Sequence, residues 1–238
     1  MRTAYTVFRN LYNVRKMTMK LVLASGSQRR RELLTMCGYD YEIIVSNADE
    51  TIDESDPESF VRALSFRKAK EVFDRLFAAG RREFAVIGSD TVVAFQKEGE
   101  AKPAIIGKPK DAKDAVRILS MLSGKTHRVF TGVSVIADIP DENADAQCSI
   151  REKAEIQTEC SITEVTFETL SPDEITDYVN SGDPLDKAGS YGIQGPFGMF
   201  VREIRGNYFT VIGMPIPVLY KMLKKIGILP HGFYERIE

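Results

Sequence analysis

One acidic residue stands out because it interrupts an apolar segment. Asp90 lies inside the run of residues 85–95, which is otherwise composed mainly of valine, isoleucine, alanine and phenylalanine. A carboxylate in such a strand costs several kcal/mol unless it is paired or binds a metal ion. Facing a cleft, this carboxylate could hold Mg²⁺ or activate a water molecule for attack. The structural alternative is a strand-end carboxylate that accepts hydrogen bonds from nearby backbone donors.

A turn of small residues near the start of the chain has the features of an anion site. Residues 25–27 (Ser-Gly-Ser) separate an apolar strand from a helix that continues through Leu34. Such a turn places free N–H groups and the positive end of the helix dipole at one point. Arginines 29–31 in the first helical turn are unfavourable against that dipole, and a bound anion would relieve the cost. The alternative is an ordinary strand–helix turn with solvated arginines.

Three further charged residues could join this chemistry. Lys68 falls on the apolar stripe of a helix predicted to begin at Pro57. A lysine there needs a partner or an anion, unless its stem packs while the ammonium reaches water. Glu50 stands in a polar loop, where acids are usually solvated. Lys108 is centred in a Gly-Lys-Pro turn, which could present a cation rigidly or could simply be a turn.

The elements that must position these residues follow from hydrophobic periodicity and capping signals. Strands are predicted at residues 21–24, 85–95, 128–137, 162–170 and near 209–212. Helices are predicted after the 25–27 turn and at residues 57–77 and 111–124, with two more starting at residues 171 and 217. Strands and helices alternate first and strands cluster later, which indicates an α/β single domain with a mixed, twisted β-sheet flanked by helices.

Composition excludes several classes of protein. The 238 residues are 43% hydrophobic and 28% charged, which suits one large domain. A net charge of −2 argues against a nucleic-acid binder. The cysteines (Cys37, Cys148, Cys160) form no CxxC pair, so a structural zinc site is not expected. No apolar run approaches the ~20 residues that span a bilayer, so no membrane association is predicted.

The first residues differ from the rest. Residues 1–20 carry five basic and no acidic side chains, with apolar residues at helical spacing. We therefore interpret residues 1–19 as an N-terminal extension, either disordered or a mitochondrial targeting segment within residues 1–18. The catalytic domain is predicted over residues 20–230. Without targeting, the expected location is the cytoplasm.

Seven segments together resemble the Maf family of nucleotide pyrophosphatases, in family order and with family spacing over roughly residues 20–226. They are LASGSQRR (23–30), DET (49–51), GSDTVV (88–93), GKPKD (107–111), LSGKTHRVFTGV (122–133), PLDKAGSYGIQG (184–195) and VIGMP (211–215). The resemblance implies a Maf/ITPase-like fold with its active site in a central cleft. It also implies a nucleoside triphosphate substrate and a homodimer.

The family's functional residues map onto a complete set here, namely Ser25, Arg30, Glu50, Lys68, Asp90 and Lys108. The resemblance implies that Ser25, Arg30, Lys68 and Lys108 bind phosphate, and that Lys68 and Lys108 also serve catalysis. A divalent cation, Mg²⁺ or Mn²⁺ with Co²⁺ as a further candidate, is expected on Glu50 and Asp90. Asp90 is also the expected general base, and the base and ligand roles compete for it.

Base selectivity in the family depends on three positions, occupied here by Arg29, Thr91 and Gln194. These match the branch that acts on dTTP and UTP rather than the branch preferring 7-methylated guanosine triphosphate. The Gln194 amide offers both a donor and acceptors, as the imide edge of uracil or thymine requires. Two departures are Gln28, where the family usually has proline, and a long polar stretch over residues 138–160. The alternative function is a regulatory nucleotide-sensing protein of the septum-inhibition type.

Overall fold

A long central strand organises the sheet. The computed structural model describes residues 19–96, 99–139 and 154–231. The expectations for residues 1–18 and for most of the 138–160 stretch lie outside those ranges. The strands are β1 (Lys20–Leu23), β2 (Glu42–Ile43), β3 (Phe84–Phe95), β4 (Ala104–Ile106), β5 (Thr126–Ala137), β6 (Glu155–Phe167) and β7 (Val201–Arg205). The helices are α1 (Gln28–Met36), α2 (Pro57–Ala78), α3 (Ala112–Leu122), α4 (Pro172–Asn180), α5 (Tyr208–Ile212) and α6 (Ile216–Lys225).

The sheet is mixed, as predicted. In the described residues its order is β2-β1-β3-β5-β6-β7, and β4 pairs with the second half of β3. β1 runs parallel to β2 and β3, whereas the remaining pairs are antiparallel. Helices cover both faces of the sheet. In β3, Val86 packs with α2 on one face, and the neighbouring Ala85 packs with α6 on the other. The expected single domain with a mixed sheet flanked by helices is therefore confirmed.

Helix starts follow the capping signals in the sequence. The Asp56 side chain accepts a hydrogen bond from the Ser59 N–H, and Asp111 accepts one from Asp114 in the same way. Ser171 forms a full capping box at the start of α4. These side chains satisfy backbone donors that have no partner within the helix, so the three helices begin where the sequence predicts.

Two predictions about strands need correction. Residues 209–212 form helix α5 rather than a strand, because the Asn207 side chain caps the Phe209 N–H and Gly213 ends the helix at φ +110. Strand β6 begins at Glu155, inside the stretch interpreted as an insertion, because it stays in register with β5 up to the pair Ala137 and Glu155. Hydrophobic periodicity did not predict β7, because this strand lies at the edge of the sheet and carries exposed charged residues.

Helix α2 lies unusually close to the sheet. A β-carbon added at Gly88 would stand 2.2 Å from the carbonyl oxygen of Ser65, and one at Gly132 would stand 2.2 Å from that of Val61. Both glycines therefore let the helix backbone touch the strands directly. Within the described residues, no helix is long and apolar enough to cross a membrane.

We expect Gly88→Ala to destabilise the fold and to lower activity. The added methyl group has no free space, and overpacking of this kind costs about 1–3 kcal/mol. Any shift of α2 would also move Lys68, which it carries. Thermal unfolding measures the effect, with Gly107→Ala as control because nothing lies within 4 Å of the β-carbon there. An unchanged melting temperature for Gly88→Ala would contradict the close packing.

Candidate active site

The sheet is open at one edge of β3. Strand β1 pairs with this edge only as far as Ile87, and β4 takes it up again at Val93. Residues 88–92 therefore have no strand partner on this edge in the described part of the chain. The opposite edge is paired with β5 throughout this segment. The break leaves Asp90 and Thr91 beside the turn that follows β1, which is where the predicted central cleft would lie.

A lysine bridges two carboxylates at this break. Lys68 donates from Nζ to Oδ1 of Asp90 over 2.7 Å, and it lies 2.9 Å from Oε1 of Glu50. The side chains of Lys68 and Asp90 are each 12% exposed, whereas Glu50 is 65% exposed. The buried charges are thus paired, as their burial demands. Lys68 is ion-paired rather than solvated, and the direct contact of α2 with Gly88 and Gly132 places it there.

The loop that carries Glu50 is attached to the same helix. Arg67 donates from one guanidinium nitrogen to the carbonyl oxygens of Asp49 and Thr51, at 2.9 Å and 2.8 Å. The Thr51 N–H donates to the Asp49 carboxylate at 2.9 Å, and hydrogen bonds from Thr51 hold the pKa of Asp49 below its usual value. Arg67 directly precedes Lys68. One turn of α2 therefore holds both the lysine and its exposed acidic partner.

Arg30 connects three segments on the other side of the break. Its guanidinium donates to the carbonyl of Gly213 at 2.9 Å, to Ser25 Oγ at 3.1 Å and to Thr91 Oγ1 at 3.4 Å. Burial lowers the pKa of Arg30, and the negative charge of Asp90 opposes this shift. Arg30 therefore presents a desolvated positive charge next to Asp90, where a phosphate group would interact strongly.

The turn after β1 remains available to an anion. Ser25 is 7% exposed, and its hydroxyl accepts from the Ser27 N–H at 3.2 Å. Helix α1 has no side-chain cap and no acidic residue in its first turn. Gln28 occupies the first helical position, as predicted, and donates to Glu32 at 2.9 Å. Cationic side chains and uncapped N–H groups thus converge at this point.

The remaining predicted residues line the approach to these clusters. Arg29 lies 3.6 Å from Asp186, which belongs to the loop that carries the exposed Gln194. The Gly189 N–H in this loop donates to the Gly107 carbonyl at 3.0 Å, next to the exposed Lys108. Among the described residues, no hydrogen bond or ion pair joins Lys108 or Gln194 to another predicted site residue. The structure therefore assembles two clusters, and it leaves these two side chains at the rim.

Sequence reasoning missed the residues that support the site. Lys187 bridges Asp183 at 3.0 Å and Asp186 at 2.7 Å, and this pairing fixes the loop next to Arg29. Ser89 donates to the Gly213 carbonyl at 3.0 Å, which Arg30 also uses. The charge pattern at 183–187 was a usable signal. A serine or threonine in a strand gives no such signal, because the sequence around it looks the same as around any half-buried strand residue.

The acidic pair offers oxygen ligands for a divalent cation. Glu50 and Asp90 both present an oxygen to the same point, now occupied by the Lys68 ammonium. No group of three or more histidine, cysteine or acidic side chains suited to a metal occurs in the described residues. Mg²⁺ commonly binds through one or two carboxylates together with waters and substrate phosphates. The donor set fits a cation that is shared with a substrate.

The fold and the site together define an α/β protein with a cation-lined cleft at a break in its sheet, suited to a phosphorylated ligand. The model of the family described as Maf-like protein matches residues 20–226. The chain belongs to the Maf family.

Two relatives with similar sequences agree with this assignment, and one solved structure was also matched. A protein from Agathobacter rectalis named dTTP/UTP pyrophosphatase is 40% identical over 217 residues, covering 88% of this chain and 98% of its own length. A protein of the same name from Bacillus thuringiensis subsp. konkukian is 42% identical over 210 residues, covering 88% and 96%. The solved structure of the Staphylococcus aureus Ham1 protein overlaps with a TM-score of 0.44 at 16% identity, covering 87% of this chain and 98% of that chain.

Proposed function

We propose that this protein is a nucleoside triphosphate pyrophosphatase that hydrolyses dTTP and UTP to the monophosphate and pyrophosphate. The observation that carries the proposal is the Lys68 ammonium held between Asp90 and Glu50 at the break in the sheet, with Arg30 beside it. The relatives that cover nearly the whole domain are named dTTP/UTP pyrophosphatases, which supports this activity.

The cations of the cleft neutralise the triphosphate. Arg30 and Ser25 are already joined at 3.1 Å, and they bind one phosphoryl group together with the N–H groups at the start of α1. Lys68 and Lys108 contact the other phosphates, Lys68 from the floor of the site and Lys108 from its rim. Reactions of this kind depend mainly on positioning and electrostatic stabilisation, so these four side chains supply much of the catalysis.

The hydrolysis needs one proton acceptor. Asp90 Oδ1 accepts from Lys68, and we assign Oδ2 to the attacking water. The water oxygen bonds to the α-phosphorus, its proton passes to Asp90, and the bond to the β-phosphate breaks so that pyrophosphate leaves. A Mg²⁺, Mn²⁺ or Co²⁺ ion held by Glu50 and Asp90 would withdraw charge from the phosphate oxygens. Glu50 is exposed and can turn from Lys68 toward such an ion.

Three residues around the break select the base. Arg29, Thr91 and Gln194 lie on α1, on β3 and on the loop before β7. The Gln194 amide can donate to a ring carbonyl of uracil or thymine. Asp186 restrains Arg29 at 3.6 Å and so connects the helix to the loop that bears Gln194. A pyrimidine base would lie between these elements.

A nucleotide panel tests the proposed function. With Mg²⁺ or Mn²⁺ present, we expect the full-length protein to cleave UTP and dTTP better than ATP, GTP or 7-methyl-GTP. The products should be the monophosphate and pyrophosphate, because attack at the α-phosphorus releases the two outer phosphates together. Product analysis by ion-exchange chromatography measures both. Release of orthophosphate and a diphosphate would show a different site of attack, and binding without turnover would support the regulatory alternative.

We further propose a homodimer located in the cytoplasm. The support for the dimer is the family resemblance. The alternative location is the mitochondrion, through targeting by residues 1–18. Light scattering of the full-length protein tests the first proposal, and the location of a tagged full-length protein in cells tests the second.

A further inference from the structure

A chain of buried hydroxyl groups leads away from the proposed base-selecting residue Thr91. Thr91 Oγ1 lies 3.0 Å from Thr131 Oγ1, and Thr131 Oγ1 donates to the carbonyl oxygen of Thr210 at 2.7 Å. A threonine hydroxyl carries one proton, and a carbonyl oxygen can only accept. The proton of Thr131 is therefore committed to Thr210. The bond between the two threonines then requires Thr91 to donate and Thr131 to accept.

This direction determines what Thr91 offers to the cleft. Its single proton points inward to Thr131, so only lone pairs remain on the outer side. Arg30 lies on that side and donates to the same oxygen at 3.4 Å, which is consistent with an acceptor there. Thr91 is half-buried and lies at the break in the sheet, where this edge of β3 has no strand partner among the described residues. A ligand that contacts this hydroxyl meets an acceptor and no donor.

The inner end of the chain is rigid. Thr131 and Thr210 are both fully buried, so no water competes for their hydrogen bonds. The side chain of Thr210 bonds to Ser161 on β6 at 2.7 Å, which holds α5 against the sheet. The end of α5 also lies over Thr91, since a β-carbon added at Gly213 would stand 3.1 Å from its hydroxyl oxygen. The packing of α5 on the sheet therefore fixes the donor-to-acceptor direction of these hydrogen bonds.

We propose that Thr131 is a positioning residue that makes Thr91 an obligate acceptor and thereby selects uracil and thymine over cytosine. This inference rests on the proposed function. Uracil and thymine carry a proton on ring nitrogen N3, which can donate to Thr91. Cytosine carries a lone pair at N3, and two facing acceptors repel each other. Thr131 acts through Thr91 without contacting the base.

The test compares UTP with CTP in variants that keep the shape of the side chain. Thr131→Val removes the hydroxyl, so Thr91 can rotate its proton outward and donate to cytosine. We expect the UTP-to-CTP ratio of kcat/KM to fall about 2- to 10-fold, the range of one ordinary hydrogen bond. The change should appear mainly in KM. Thr131→Ser retains the donor and should restore the wild-type ratio.

Thr163→Val is the matched control. Thr163 is 1% exposed, and its hydroxyl donates to the Asn207 carbonyl at 3.0 Å, on the neighbouring strand but outside the chain to Thr91. Its loss removes two hydrogen bonds with the Asn207 backbone, just as Thr131→Val removes the two with Thr210 and Thr91. Stability should therefore fall as in Thr131→Val while the ratio stays at the wild-type value. An unchanged ratio in folded Thr131→Val, or an equal change in Thr163→Val, would overturn the inference.

Thr91→Val supplies a second test that does not require Thr131→Val to fold. It removes the acceptor itself, so the preference for UTP over CTP should shrink by a similar factor. A Thr91→Val protein that keeps the full preference would overturn the inference. Failure of the proposed function is seen separately, because the wild-type protein would then hydrolyse neither UTP nor dTTP.

Discussion

Asp90→Asn should yield a folded protein whose turnover of UTP is reduced about 10²- to 10⁴-fold, the usual contribution of a general base. The asparagine has nearly the same shape, and its amide oxygen can still accept from Lys68. It cannot take a proton from water, and it is a much poorer ligand for a divalent cation. Lys68 keeps Glu50 as its ionic partner at 2.9 Å, so the fold should survive. Steady-state kinetics and circular dichroism measure the two effects.

Asp74→Asn is the control for this variant. Asp74 also pairs with a lysine of α2, Lys70, but its side chain is 57% exposed and lies away from the break. Exposed ion pairs contribute little to stability, so activity and stability should stay at wild-type values. If folded Asp90→Asn turned over at a near-normal rate, both proposed roles of Asp90 would be wrong. Where turnover is lost, titration with Mn²⁺ separates the two roles, because excess cation should partly rescue a lost ligand and should not rescue a lost base.

Arg30→Lys should lower kcat/KM about 10- to 160-fold, which corresponds to one charge-assisted hydrogen bond of about 1.5–3 kcal/mol. The guanidinium reaches the Gly213 carbonyl, Ser25 and Thr91 at once from a rigid planar group. A lysine ammonium is a point charge on a flexible stem and cannot reproduce this geometry. Arg30→Met also removes the positive charge and should lower kcat/KM further than Arg30→Lys. Kinetics with UTP over a concentration series measure the loss.

The pH profile of Arg30→Lys provides an independent readout. Burial lowers the pKa of Arg30, yet an arginine starts so high that it stays charged. The same burial acts on a lysine that starts about two units lower, so this ammonium loses its proton as pH rises through the alkaline range. We expect the variant to lose activity at lower pH than the wild type. Arg75→Lys, an exposed position on α2, is the control, and an identical profile for Arg30→Lys and wild type would contradict the burial argument.

Local signals in the sequence were sufficient for much of the architecture. Capping residues such as Asp56 and Ser171 placed helix starts, because a cap satisfies N–H groups within four residues of itself. The apolar run around Asp90 predicted a buried strand with a costly charge, and the structure pairs that charge with Lys68. The family motifs named Ser25, Arg30, Glu50, Lys68 and Asp90, which lie in two clusters at the break in the sheet. Each of these inferences needs only neighbouring residues or a recognised order of motifs.

Long-range packing decided the rest. The break in the sheet exists because β1 pairs with β3 only up to Ile87 and β4 pairs with it only from Val93 onward. No local pattern encodes where two distant strands stop pairing. Residues 209–212 are as apolar as a strand, yet the Asn207 cap and the contact of α5 with β5 and β6 make them a helix. The direction of the hydroxyl chain at Thr131 likewise depends on a carbonyl 79 positions away. Sequence determines which groups are costly to bury, and tertiary structure determines which partner satisfies each of them, because that partner comes from a distant part of the chain.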